Sequence, residues 1–102
     1  MTPPQTVMLR RGSLYLSRAV YERYFDGLDT IVLIRRDSDL LIVPVRHAAA
    51  GGYLLKLRNV AGDRVVNAPD FFRAHGLEDD ALRNFDVAWD SQRAALIARH
   101  AF

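Results

Sequence analysis

Fourteen basic side chains, thirteen of them Arg, carry the plainest chemistry this 102-residue chain has to offer. A guanidinium grips phosphate or carboxylate through two parallel N–H donors, which an ammonium cannot do. Arg10, Arg11, Lys56, Arg58 and Arg64 stand out because they lie on or beside two strand-like stretches, "TVMLRR" and "LLKLRNVAGDR", about fifty residues apart. Brought side by side, these five would offer a basic face to phosphate groups. The competing reading is that alternating Arg on an edge hairpin is solvated and discourages edge-to-edge pairing. Arg35 and Arg36 flank a more apolar stretch and read as plain surface.

Other chemistry is thin. His47, His75 and His100 are dispersed, with neither His-x-x-x-His nor His-x-x-Glu-His spacing, so no metal site is expected. His75, directly before Gly76, reads as a cation at a helix C-terminus, and Glu78–Asp80 as acids opening a short helix. Ser13, Ser17, Ser38 and Ser91 fall in turns or caps without a base to activate them. "AAAGG" lacks the Lys and Ser/Thr of a phosphate loop. Trp89 and the Tyr and Phe residues read as core. These observations point away from an enzyme and require no cofactor.

The elements that must position the basic residues follow from periodicity and turn chemistry. "TVMLR" and "LYL" flank Arg11-Gly12-Ser13, a hairpin with Gly where positive φ is cheapest. Ser17 then caps a helix in which Val20 and Tyr24, and Tyr21 and Phe25, lie four apart on one stripe. Gly27 closes it. "TIVLIRR", the turn "DSD" and "LLIVPV" make a second, more apolar hairpin. The order then repeats: "GYLLKLR", a turn through Gly62, "RVV", Asn67 as the expected cap, Pro69 in the first turn, Phe71 and Phe72, and the closing Gly76. "DVAW", "DSQR" and "AALIA" supply the last hairpin. Ser17 and Asn67 are 50 residues apart, and Gly27 and Gly76 are 49 apart.

The chain therefore reads as one domain, 1–102, mostly β with two short helices (α+β), built from two β-β-α-β-β repeats at about 6–46 and 52–99 with a linker at about 47–52. One repeat alone leaves strand edges open and little core, whereas two can interleave hairpins around a common interior. The expected core comprises Leu14, Leu16, Val20, Tyr24, Ile31, Leu33, Ile42, Leu54, Val65, Phe71, Val87 and Leu96. Composition agrees with a globular chain: 50% hydrophobic, 25% charged, net charge +2 and no cysteine. A surplus of two is far below the basic stripe of a strong nucleic-acid binder, and Arg usage of this kind also reflects GC-rich coding. The opening "MTPPQTVMLRR" has no apolar signal region and the apolar runs are too short to span a bilayer, so the expectation is cytoplasmic.

The succession of Gly, short strand, cap, short helix, Gly and hairpin resembles the swapped-hairpin barrels of the AbrB, MazE and MraZ family. Gly12, the strand residues Leu14 and Leu16, Ser17 at the place of a Pro, and the helix acid Glu22 carry the resemblance in the first half. Gly62, Arg64, Val65 and Val66 carry it in the second. Ser13 stands where the family has Arg. The resemblance implies a pseudo-twofold barrel and a small DNA-binding transcriptional regulator, with Arg10, Arg11, Lys56, Arg58 and Arg64 on the nucleic acid. Two alternatives are a non-catalytic assembly module, with a protein partner or further copies of itself, on a barrel that no longer binds DNA, and a small-molecule binder or enzyme.

Overall fold

Strand alternation in the sequence becomes the inside and outside of a barrel. The structure is a computed structural model describing residues 5–46, 52–77 and 80–102. In β1 (Gln5–Arg10) Val7 and Leu9 are buried, while Thr6 and Arg10 face solvent. In β2 (Ser13–Leu16) Leu14 and Leu16 point inward. After α1 (Arg18–Tyr24) come β3 (Thr30–Arg36) and β4 (Asp39–Val45), then the short β5 (Tyr53–Leu54) and β6 (Lys56–Leu57). β7 (Arg64–Asn67), α2 (Pro69–Ala74), β8 (Arg83–Asp90) and β9 (Ala95–Ala98) complete the chain. Every pairing is antiparallel, in the order β5-β3-β4-β9-β8-β1-β2-β7-β6.

The two outermost strands of that order are consecutive in the chain, with only Leu55 between them. β5 pairs with β3 through Ile31↔Tyr53 and Thr30↔Leu54, and β6 pairs with β7 through Lys56↔Val65 and Leu57↔Arg64. One five-residue segment thus joins both edges of the sheet. The result is a nearly closed antiparallel barrel. Leu55 points inward at 3% exposure, and its N–H donates to the Asp29 carbonyl at 2.8 Å.

The helices close opposite ends. Leu16 faces Arg64 and Ser13 faces Asn67, so β2 and β7 run past each other and deliver α1 and α2 to the two mouths. Each helix meets the other half's hairpin turn. The Arg18 N–H at the start of α1 donates to Asp63 Oδ1 at 2.9 Å in the β6–β7 turn. Before α2, the Ala68 N–H donates to the Gly12 carbonyl at 2.9 Å in the β1–β2 turn. Gly12 has φ +77, and a Cβ there would lie 2.5 Å from Pro69 Cα. Gly62, φ +97, is approached in the same manner by Arg18, with Cδ 3.0 Å from a built Cβ.

One continuous core fills the barrel, with Phe25 and Phe72 its largest fully buried side chains. Several expected core positions move by one residue. Leu54 is 57% exposed and Leu55 takes its place, because the segment changes partner strand there. Phe72, fully buried, replaces the half-buried Phe71, since a helix of under two turns can aim only one of them squarely inward. Tyr24 and Val65 are half-buried. Ser17 caps α1, accepting from the Val20 N–H, but Asn67 does not cap α2: it ends β7, and its Oδ1 accepts from the Ser13 hydroxyl at 2.8 Å. Ala68 occupies the cap without a side-chain bond, and Pro69 at the first turn leaves one fewer N–H to satisfy. The expected linker lies mostly outside the described residues, as do His47, Glu78 and Asp79.

Two pairs of variants check this packing by denaturant unfolding. Phe72→Ala should destabilise by about 3–5 kcal/mol, whereas Leu54→Ala should change stability by less than about 1 kcal/mol. Gly12→Ala combines a left-handed backbone with a collision against Pro69 and should lose about 2–5 kcal/mol. Gly27→Ala has the same φ, +77, but open space around its Cβ, and should lose only about 1–2 kcal/mol.

Candidate nucleic-acid interface

Register, not nearness in sequence, decides which basic residues share a surface. Directly paired residues in an antiparallel sheet point to the same side. Met8, Tyr15, Val65 and Lys56 therefore form one outward row across β1, β2, β7 and β6. Arg10, Ser13 and Asn67 form the next row toward the β1–β2 turn. Arg58 follows β6 beyond Lys56 and lays its guanidinium 4.5 Å from the centroid of the Tyr15 ring. Arg10, Lys56 and Arg58 are all exposed, and Arg10 and Arg58 each precede the turn of their own hairpin. Strand spacing of about 4.8 Å and rise of about 3.3 Å put the Arg10 and Arg58 backbones about 20 Å apart across this face.

The other two candidates are placed differently. Arg11 occupies the tight turn at φ 52, and its Nε contacts Asp80 Oδ1 at 3.1 Å. Both side chains are mostly exposed, so the pair adds no more than about 1 kcal/mol, but it neutralises Arg11 at the edge of the face. Arg64 points inward. It pairs with Leu16, and its guanidinium lies 4.1 Å from the Tyr21 ring centroid, with a buried Nε that has no hydrogen-bond partner. Tyr21 is itself fixed by donating its hydroxyl to the Leu28 carbonyl at 2.9 Å. Inward alternation in "DRVVN" carries the signal for this placement, since Val66 and Arg64 must share a side.

Tyr15 is a surface platform rather than core. Its outward direction follows from the alternation of "SLYL", in which Leu14 and Leu16 claim the interior. Trp89 also departs from the core reading: it is 38% exposed and stacks on Tyr24 at 5.5 Å with an interplanar angle of 10°.

Comparison with protein-family models, with curated proteins and with solved structures finds no match to this chain. What the face can do rests on its own residues.

Asp63 organises the second hairpin turn. Its Oδ2 accepts from Asn59 Nδ2 at 3.0 Å, its Oδ1 from the Arg18 N–H, and its own N–H donates to Asn59 Oδ1 at 3.2 Å. The Asn59 bond first, then the Arg18 N–H and the nearby Arg58 charge, hold its carboxyl below the usual Asp value. His75 packs its ring against Phe71 and Phe102 at 4.6 and 5.4 Å, and the His100 N–H donates to Asp39 Oδ1 at 3.1 Å. No group of three or more metal-ligating side chains gathers among the described residues, and no helix there is long and apolar enough to cross a membrane.

A carboxyl depressed in the folded state stabilises the fold above its unfolded pKa, and that contribution fades as pH falls through the folded value. An NMR titration should find Asp63 below an ordinary Asp. Asn59→Ala should raise its pKa and leave the protein less stable near neutral pH, with the difference between the two proteins narrowing in acid.

Proposed function

We propose that this chain is a small DNA-binding regulator of the swapped-hairpin, AbrB/MraZ-like type, formed by duplication of one β-β-α-β-β unit. Strand pairing supports the duplication. Exchanging β1 with β5/β6, β2 with β7, β3 with β8 and β4 with β9 turns each pairing into another of the same set. β2–β7 and β4–β9 map onto themselves, and the registers carry the pseudo-twofold through Tyr15↔Val65 on one wall and Ile42↔Leu96 on the other. The reciprocal turn contacts, Gly12 with Pro69 and Gly62 with Arg18, obey the same exchange.

One observation carries the DNA reading: Arg10 and Arg58 stand at equivalent places on either side of Tyr15–Val65, with Lys56 between, on one outer face. A span of about 20 Å exceeds the about 12 Å width of the major groove, so both can reach phosphates flanking one groove. Ser13 is tied to Asn67 where the family resemblance expects an Arg, which leaves backbone contact as the main term and base reading weak.

A second reading, the assembly module, is favoured by the opposite wall. There Ile34 is 43% exposed and Val43 half-buried, beside Leu41, Ala95 and Ile97, which form an apolar cluster that is itself buried, so the apolar surface open to a partner is Ile34 and Val43.

The test is a salt titration of duplex binding. Arg10→Ala with Arg58→Ala should weaken binding to all duplexes alike and flatten the salt slope by up to about two, one for each lost phosphate contact. Wild-type protein without salt-dependent affinity for any duplex at low salt would rule out the DNA reading in favour of the assembly module.

A further inference from the structure

A cleft of about 370 Å³ opens between the outer side of the β1–β2 hairpin and the first turn of α1. That volume lies at the low end of small-molecule sites, about 300–1,000 Å³. Met8, Tyr15, Ala19 and Val20 give it an apolar wall; its polar lining is Gln5, Thr6, Ser17, Arg58 and Asp63. We propose that this cleft binds a small, flat carboxylate, with the ring against Met8, Tyr15 and Ala19 and the carboxylate on the Arg58 guanidinium.

The hydrogen-bond inventory sets the ligand's polarity. Asp63 already accepts at both oxygens, from Arg18 N–H and from Asn59. Ser17 Oγ accepts from the Val20 N–H at 3.3 Å, so the start of α1 offers nothing further at those two amides. Arg58 differs. Its Cζ lies 4.5 Å over the Tyr15 ring centroid, yet among the described residues its side chain donates to no acceptor. Among those residues Arg58 is therefore the one cation lining the cleft and has donors to spare, beside Gln5 and Thr6, which can donate as well as accept. A guanidinium held by one ring presents the edge fork that a carboxylate matches in two parallel bonds. Aromatic stacking fixes its direction while leaving those N–H groups outside the stack. The opposing charge of Asp63 is spread over its own two bonds, and a ligand anion on the far edge of Arg58 meets donors first.

The proposal does not rest on the DNA reading, because no nucleic acid enters its test. Amide chemical shifts of labelled protein would be followed with benzoate, benzamide and benzylamine as probes. Benzoate should give saturable shifts at Met8, Tyr15 and Ala19, and benzamide, the neutral isostere, should bind at least about tenfold more weakly, a difference of about 1.4 kcal/mol. Arg58→Ala should lose benzoate by at least the same factor, and Arg58→Lys should recover only part, because it restores charge without the fork. Ala19→Leu, an exposed helix position that tolerates a larger side chain, should block the cleft without changing the unfolding midpoint. Arg36→Ala, on a different wall, should leave binding intact. Equal affinity for benzoate and benzamide, benzoate binding that survives Arg58→Ala, or no saturable shift at the cleft residues would each overturn the proposal.

Discussion

The barrel depends on the five residues from Tyr53 to Leu57. Without them β3 and β7 would be open edges, each a row of unpaired N–H and C=O groups inviting another chain. The segment serves both edges because it changes partner midway, and the change is made at Leu55, whose side chain drops into the core. Burial of one leucine contributes about 1.5–3 kcal/mol, enough to hold two short ladders that would be marginal separately. Tyr53 adds a second anchor by donating its hydroxyl to Asp70 Oδ2 at 3.0 Å, tying the segment to α2. Removal of the Tyr53 ring from water comes first, and the Asp70 bond second, in raising that hydroxyl's pKa.

Closure explains why the helices can be so short. A helix of six or seven residues is far below the length at which it stands alone in water. Each is held by what it covers and by the opposite half's turn. α1 buries Val20, Tyr21 and Phe25 and is anchored at Asp63; α2 buries Phe72 and is anchored at Gly12. Neither half can place its own helix without the other, so the two assemble as one cooperative body.

Much of this was legible from residue order. Ser17 as a cap, the apolar stripe of α1, Gly12 in its turn and the hairpins around 37–38 and 91–94 appear where periodicity and turn chemistry put them. The misses share a cause. Leu54, Phe71 and Asn67 each sit beside the residue that took the expected role, and adjacent residues differ by a full inversion in a strand and about 100° in a helix. Local pattern cannot choose between neighbours when the deciding contact is distant: β3 for Leu55, the interior for Phe72, and Ser13 for Asn67. Arg64 shows the same limit, since Tyr21 lies 43 residues away in sequence and is visible only once β7 has been set beside β2.

The preference for Arg over Lys then acquires a physical reason beyond coding bias. Arg23, Arg35, Arg58 and Arg64 each lie over an aromatic ring, on Tyr24, Phe102, Tyr15 and Tyr21. A planar, weakly hydrated guanidinium can stack in this way with little desolvation, whereas a compact ammonium keeps its water. The four use the property differently. Arg64 gives up exposure and leaves its Nε unpaired inside the barrel end, and Arg35 turns its Nε to the Asp37 carbonyl at 2.8 Å. Arg58 lies over the outward Tyr15 ring, a contact that holds it without consuming its donors. A cation already oriented loses less side-chain entropy when an anion arrives. That makes Arg58 the residue on which the proposed phosphate contact and the proposed carboxylate capture converge, so the two ligands would exclude one another there.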